Sequence, residues 1–203
     1  MKQLFLSSSF TDVEAQFTEY INNKSHTKSV TFIPAASLVE DVTFYVGEAL
    51  ALFKRLGFSI DVLDLAASTP SEIAETLQSN NFIYISGGNT FYLLDVLKQS
   101  GAFALILEQI AEGKIYVGES AGSVIAAESI DYIAVMDDKT KVPAADTYPA
   151  LNVVPFAIVP HYQAAYFAEA AETILRTYQA DYELIPLSNH QVMIVEGEHT
   201  DIR

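Results

Sequence analysis

The feature that most narrows the possible folds is a set of short β-rich runs separated by segments of helical period. The runs are Gln3 to Ser7, Ser29 to Pro34, Phe58 to Leu63, Phe82 to Ser86 and Ile115 to Gly118. Between them apolar positions recur three and four apart, as in Val42, Tyr45, Val46, Ala49, Leu52, Phe53 and Leu56, the spacing of one helix face. Runs such as Phe82-Ile83-Tyr84-Ile85 and Ile115-Tyr116-Val117 do not alternate with polar residues. A strand that is apolar on both faces needs cover on both, and in a parallel sheet helices supply it. The pattern predicts a doubly wound α/β fold with a mostly parallel sheet, a flavodoxin-like three-layer αβα arrangement.

Beyond the fifth run the pattern predicts a helix from Ala121 to about Ser129, then a surface loop over the polar stretch Met136 to Thr147. A strand follows from Phe156 to Pro160, and a helix from about Tyr162 to Tyr178. Three short strand candidates close the chain, Glu183 to Leu187, Val192 to Val195 and Thr200 to Arg203, the last two forming a hairpin across Glu196-Gly197-Glu198. No proline-, glycine- or serine-rich tract divides the 203 residues, so residues 1–203 read as one domain.

Composition removes several function classes. With 11 basic residues against 26 acidic ones, a net charge of -15 is unsuited to a phosphate backbone, and no nucleic-acid partner is expected. The absence of cysteine rules out disulfides, thiolate metal sites and a cysteine nucleophile. Met1 to Phe10 enters a strand pattern without the features of an export signal, and charged or amide residues break every apolar stretch before the roughly 18 residues a bilayer span requires. The expectation is a cytoplasmic protein without a membrane partner, metal or organic cofactor. Monomer and homodimer are both open.

The chemistry concentrates in Ile115-Tyr116-Val117-Gly118-Glu119-Ser120-Ala121-Gly122-Ser123, where a buried-strand pattern runs through G-x-S-x-G into a helical pattern. A serine at such a strand-to-helix turn is presented on a tight bend, and the flanking glycines allow close backbone approach. Ser120 is therefore the candidate nucleophile, with the N–H of Ala121 as one oxyanion donor. A second turn, Ser86-Gly87-Gly88-Asn89-Thr90, ends the preceding strand and reaches the same rim of a parallel sheet, so a Gly88 N–H could complete the oxyanion hole. A glycine turn that only starts a helix is the alternative.

A serine hydroxyl needs a base to take its proton during attack. His161 follows the apolar run Phe156 to Pro160, which places it at a strand end on that rim. His26, in a polar loop, and His199, in a hairpin turn, read as solvated; His190, in Ser188-Asn189-His190-Gln191, is the competing histidine. The base in turn needs an acceptor that holds its tautomer. Asp137, in the loop between serine and histidine, is preferred, with Asp138, Asn189 and His190 as alternatives.

Three segments, Ser86-Gly87-Gly88-Asn89-Thr90, Gly118-Glu119-Ser120-Ala121-Gly122 and Pro160-His161-Tyr162, together resemble the peptidase E and cyanophycinase family of serine peptidases. The resemblance extends over nearly the whole chain, including Ser7-Ser8-Ser9 and Phe32-Ile33-Pro34-Ala35-Ala36. It implies a fold like that of class I glutamine amidotransferases with serine in place of the cysteine nucleophile, Ser120 and His161 as nucleophile and base, an oxyanion hole from Gly88 and Ala121, and no cofactor. It also implies a small peptide substrate, the nearest expectation being dipeptides that begin with aspartate. This chain departs from the family twice. Ser188-Asn189-His190-Gln191 carries no carboxylate where an acidic third residue can stand, and the first basic residue after His161 is Arg176. An esterase or amidase of the same fold, or a binding protein with an impaired site, are the alternatives.

Overall fold

The strand that opens the chain ends up in the interior of a seven-stranded sheet. In the computed structural model, which describes residues 1–22, 24 and 27–203, the strands are β1 (Gln3–Ser7), β2 (Ser29–Ile33), β3 (Ser59–Val62), β4 (Phe82–Ile85), β5 (Ile115–Glu119), β6 (Ala157–Val159), β7 (Leu184–Pro186), β8 (Val192–Glu196) and β9 (His199–Ile202). The main sheet runs in the order β3-β2-β4-β5-β1-β8-β9. Its first five members are mutually parallel, β8 is antiparallel to β1, and β9 returns antiparallel to β8 as the expected hairpin. β6 and β7 form a separate parallel pair. The expectation for His26 lies outside the described residues.

The apolar runs are explained by two cores, one on each face. Phe5, Phe32, Phe82, Tyr84, Ile115 and Val117 point to an aromatic-rich core closed by α1 (Glu14–Asn22) and α2 (Phe44–Arg55), through residues such as Phe17, Leu52 and Phe53. The alternate residues Leu4, Leu6, Ile33, Ile83, Ile85 and Tyr116 point to the other core. That face is covered by α3 (Pro70–Ser79), α4 (Thr90–Gln99), α5 (Ala102–Ala111), α6 (Ala121–Val124) and α7 (Ala168–Tyr178). Successive strand residues face opposite sides, so burial on both sides turns an alternating pattern into a continuous apolar one. The result is the three-layer α/β architecture.

Local chemistry sets the helix starts. Thr69 and Glu72 form a reciprocal capping box ahead of α3, with Pro70 in the first turn, where its missing N–H is not needed. Asn89 Oδ1 accepts from Tyr92 N–H (3.0 Å) to cap α4. Among the described residues no single helix is long and apolar enough to cross a membrane.

Two helices differ from the sequence pattern. α6 ends at Val124 rather than near Ser129, because the carbonyls of Ile125, Ala126, Ala127 and Glu128 accept from the amides of residues 150–153 at 2.8–2.9 Å instead of from their own helix. α7 begins at Ala168 rather than Tyr162, because His161 (φ 58°) and Gln163 (φ 64°) are left-handed and the chain turns there. Both departures lie beside the site.

Candidate active site

Ser120 follows the last residue of β5 at φ 46° and ψ -106°, a conformation that costs a non-glycine residue about 1–3 kcal/mol and persists only where its surroundings enforce it. Those surroundings are close-packed backbone. A Cβ on Gly118 would stand 2.6 Å from the Gly122 carbonyl oxygen, and one on Gly122 would stand 2.2 Å from the Ile85 carbonyl oxygen. Ser120 N–H donates to the Ser7 carbonyl (2.9 Å), and Ser123 Oγ donates to the carbonyls of Ser7 and Gly118, each at 2.8 Å. The G-x-S-x-G pattern thus reflects backbone crowding on both sides of the serine.

The second glycine turn is seated against the first. Gly88 has φ 130°, and a Cβ there would stand 2.2 Å from the Ala36 carbonyl oxygen, so only glycine fits. Asn89 N–H donates to that same carbonyl (2.9 Å), docking the turn on the short helical turn Ala35–Val39. At Gly87 a Cβ would stand 3.3 Å from Ser120 Cβ and 3.6 Å from the Tyr45 ring. The two turns and Tyr45 therefore share one wall.

His161 reaches this wall from the smaller sheet. Its N–H donates to Ser8 Oγ (3.1 Å), and Ser8 Oγ donates to the Leu187 carbonyl (2.9 Å), which also accepts from Tyr162 N–H (3.0 Å). The imidazole stacks on Phe167, centroids 4.7 Å apart at 22°. Its Nε2 lies 2.9 Å from Ser120 Oγ, and its Nδ1 lies 2.9 Å from Asn189 Oδ1. An amide oxygen only accepts, so Nδ1 carries the proton and Nε2 is left to accept from the serine hydroxyl. Burial pushes the His161 pKa below the usual histidine value, against the Asn189 hydrogen bond and the Asp12 charge, which raise it. A neutral imidazole with a free lone pair facing a hydroxyl can take its proton.

The structure thus joins Ser120, His161 and Asn189, and it does not bring Asp137 to the histidine. Asp137, the preferred acceptor on sequence grounds, instead accepts from the Thr90 N–H (2.8 Å) and hydroxyl at the start of α4. An unsatisfied helix N-terminus supplies donors that a nearby carboxylate takes readily. Burial pushes the Asp137 carboxyl up to about 6, with the Thr90 hydrogen bonds opposing the rise and Glu40 adding to it. Asp138 is exposed and caps Thr140 (2.9 Å), while its carbonyl accepts from Asn89 Nδ2 (3.1 Å). His190 is exposed and its carbonyl accepts from Gln16 Nε2 (3.1 Å).

Asn189 owes its place to a turn closed by Ser188 N–H to Gln191 Oε1 (3.1 Å) and Gln191 N–H to the Ser188 carbonyl (3.2 Å). One residue at the site went unread in the sequence, Glu119, whose carboxylate is buried directly behind the serine. Its signal was available, an acid ending an otherwise apolar strand. Among the described residues no group of three or more metal-ligating side chains converges.

Comparison with known proteins agrees with this architecture. The family model described as peptidase family S51 matches residues 4–203. An uncharacterized peptidase of Listeria monocytogenes is 46% identical over 198 residues, covering 98% of this chain and 96% of its own. Another, of Pasteurella multocida, is 46% identical over 203 residues, covering 100% and 98%. A crystal structure from Listeria monocytogenes EGD-e, of a protein named for peptidase E, superposes with a TM-score of 0.93 at 45% identity over 100% of this chain and 98% of that one. A peptidase from an acI-B1 actinobacterium, at 18% identity, shares the fold with a TM-score of 0.75 over 100% of this chain and 87% of that one.

Proposed function

Because the chain belongs to peptidase family S51, and is a peptidase and so a hydrolase, we propose that it cleaves small peptides by acyl transfer, with Ser120 as nucleophile, His161 as general base and Asn189 as the residue that orients it. The observation that carries this reading is the unbroken series Ser120 Oγ, His161 Nε2, His161 Nδ1, Asn189 Oδ1, with 2.9 Å at each of its two contacts. As Ser120 Oγ bonds to the peptide carbonyl carbon, its proton passes to His161 Nε2. The amides of Gly88 and Ala121 hold the resulting oxyanion. His161 returns the proton to the amine nitrogen as the C–N bond breaks, and water, deprotonated by the same imidazole, releases the acyl group.

A neutral third residue changes the energetics. Asn189 selects the productive tautomer as a carboxylate would, but it places no negative charge beside the imidazolium. Aspartate at the substrate's first position gains no support from the charges nearby, since the charge acting on His161 is Asp12, and Glu40 and Asp137 act on Tyr45 in the same wall. The substrate class is therefore short peptides without a requirement for an initial aspartate.

The test is hydrolysis of a panel of dipeptides and longer peptides with varied first residues by wild type, Ser120→Ala and His161→Ala. Turnover of short peptides that falls at least about 10³-fold in both variants is the expected result. Turnover confined to Asp-initiated dipeptides would overturn the specificity, and turnover that survives Ser120→Ala would overturn the mechanism.

A further inference from the structure

Glu119 is 4% exposed, and none of the ion pairs among the described residues includes it. Burying a carboxylate without a cation is costly, and apolar packing of the same volume is often the more stable solution. What this acid has instead is a set of donors from separate segments. Phe10 N–H donates to Oε1 (2.8 Å) and Tyr84 Oη donates to Oε2 (2.5 Å); burial pushes the Glu119 carboxyl above the usual carboxylate value, and these two bonds and the Gly87 N–H oppose the rise.

Each donor segment carries another part of the site. Phe10 ends the Ser7–Phe10 stretch, whose Ser8 hydroxyl accepts from the His161 N–H (3.1 Å). Tyr84 stands on β4 two residues before Ser86, and Gly87 is part of the turn at its end. Seen from Gly87, the space a Cβ would fill is bounded by Ser120 Cβ at 3.3 Å and Glu119 Cγ at 3.8 Å. One side chain thus stands at the junction of the serine bend, the glycine turn and the segment that holds the histidine backbone.

We propose that Glu119 is a positioning residue for the hydrolytic reaction, a buried acceptor that fixes the Gly87–Gly88 turn and the Ser7–Phe10 segment relative to Ser120 without touching the substrate. The inference rests on Ser120 as the nucleophile. Misplacing a catalytic group by about 1 Å can lower a rate about 10²-fold, so the connection needs no direct contact with the reacting atoms to matter. It also accounts for a carboxyl group in a buried strand that holds no other charged residue.

The experiment measures the rate at which a fluorophosphonate labels the full-length protein, which reads serine reactivity without knowledge of the natural substrate. Wild type, Ser120→Ala, Glu119→Gln and Tyr84→Phe are compared, each rate being divided by the folded fraction from thermal unfolding. Glutamine keeps the shape but turns an N–H₂ toward one donor. Glu119→Gln is expected to slow labelling about 10- to 100-fold per folded molecule, and Tyr84→Phe at least about threefold. With a peptide substrate the loss falls in kcat, while KM stays within about threefold.

If Glu119→Gln does not fold, Tyr84→Phe decides alone. Slowing of less than about threefold in the folded variants, or losses that vanish on division by the folded fraction, would overturn the positioning role. Wild type that labels no faster than Ser120→Ala would instead overturn the nucleophile assignment on which it rests.

Discussion

Ser120 leaves a strand hydrogen-bonded to parallel neighbours on both sides, β4 and β1, whereas His161 leaves β6, a strand of three residues with a single neighbour. The serine is held by exclusion. A methyl group added at Gly118, Gly122 or Gly88 would fall on backbone atoms of a neighbouring segment. The histidine is held by attachment, through its N–H to Ser8 and its ring to Phe167 and Asn189. Adding an atom should therefore damage the first region, and deleting one should alter the second while sparing the fold.

The largest effect is expected at Gly122. A Cβ there would lie 2.2 Å from a carbonyl oxygen of the central strand β4, which cannot move aside as a flexible side chain could. Gly122→Ala should lose at least about 3 kcal/mol of stability, measured by urea unfolding, or fail to fold. A variant within about 1 kcal/mol of wild type would break the contrast from its rigid side.

Asn189→Ala tests the other side. It should unfold at nearly the wild-type temperature while kcat/KM falls about 10- to 100-fold. Its pH profile carries a sign. The Asn189 acceptor favours the imidazolium, so removing it lowers a His161 pKa that burial has already depressed, and the acid limb moves to lower pH beneath a reduced plateau. A limb that moves upward would mean that the amide does not act on the imidazole.

Asp137→Asn should show the smallest change, and mainly in stability. The carboxyl is raised from 3.8 to about 6, so the folded state binds a proton more readily than the unfolded one between those values. Its contribution is greatest below about 4 and declines as pH rises through about 6. Asparagine keeps an acceptor for Thr90 without the charge. The variant should gain on the order of 1 kcal/mol over wild type at pH 7 and little at pH 4, by urea unfolding at both. Equal differences at the two pH values would show that the group does not titrate as its burial implies.

The same contrast explains what could be read from the chain. β1 spans Gln3–Ser7 as expected and β4 and β5 agree to a residue, because burial on both faces writes itself into consecutive apolar residues. The serine bend was equally legible, since its glycines are demanded by local crowding. His161 could be placed because it follows a strand. Its acceptor could not be settled, because Asn189 is 28 residues away and meets it only through the turn at the end of β7. Asp137 was the nearer acid in sequence, and a helix N-terminus claimed it. The early stop of α6 and the late start of α7 have the same origin, in tertiary hydrogen bonds and left-handed residues that no periodicity records.

The dihedral angles of Ser120 have an evolutionary consequence. Glycine would adopt φ 46° and ψ -106° with less strain, so the fold would gain stability by giving up the serine. A lineage released from selection for turnover would drift downhill toward glycine at this position. With Ser120 as the proposed nucleophile, the hydroxyl at position 120 is held against the protein's own folding free energy, the strain of this backbone being the cost of presenting it.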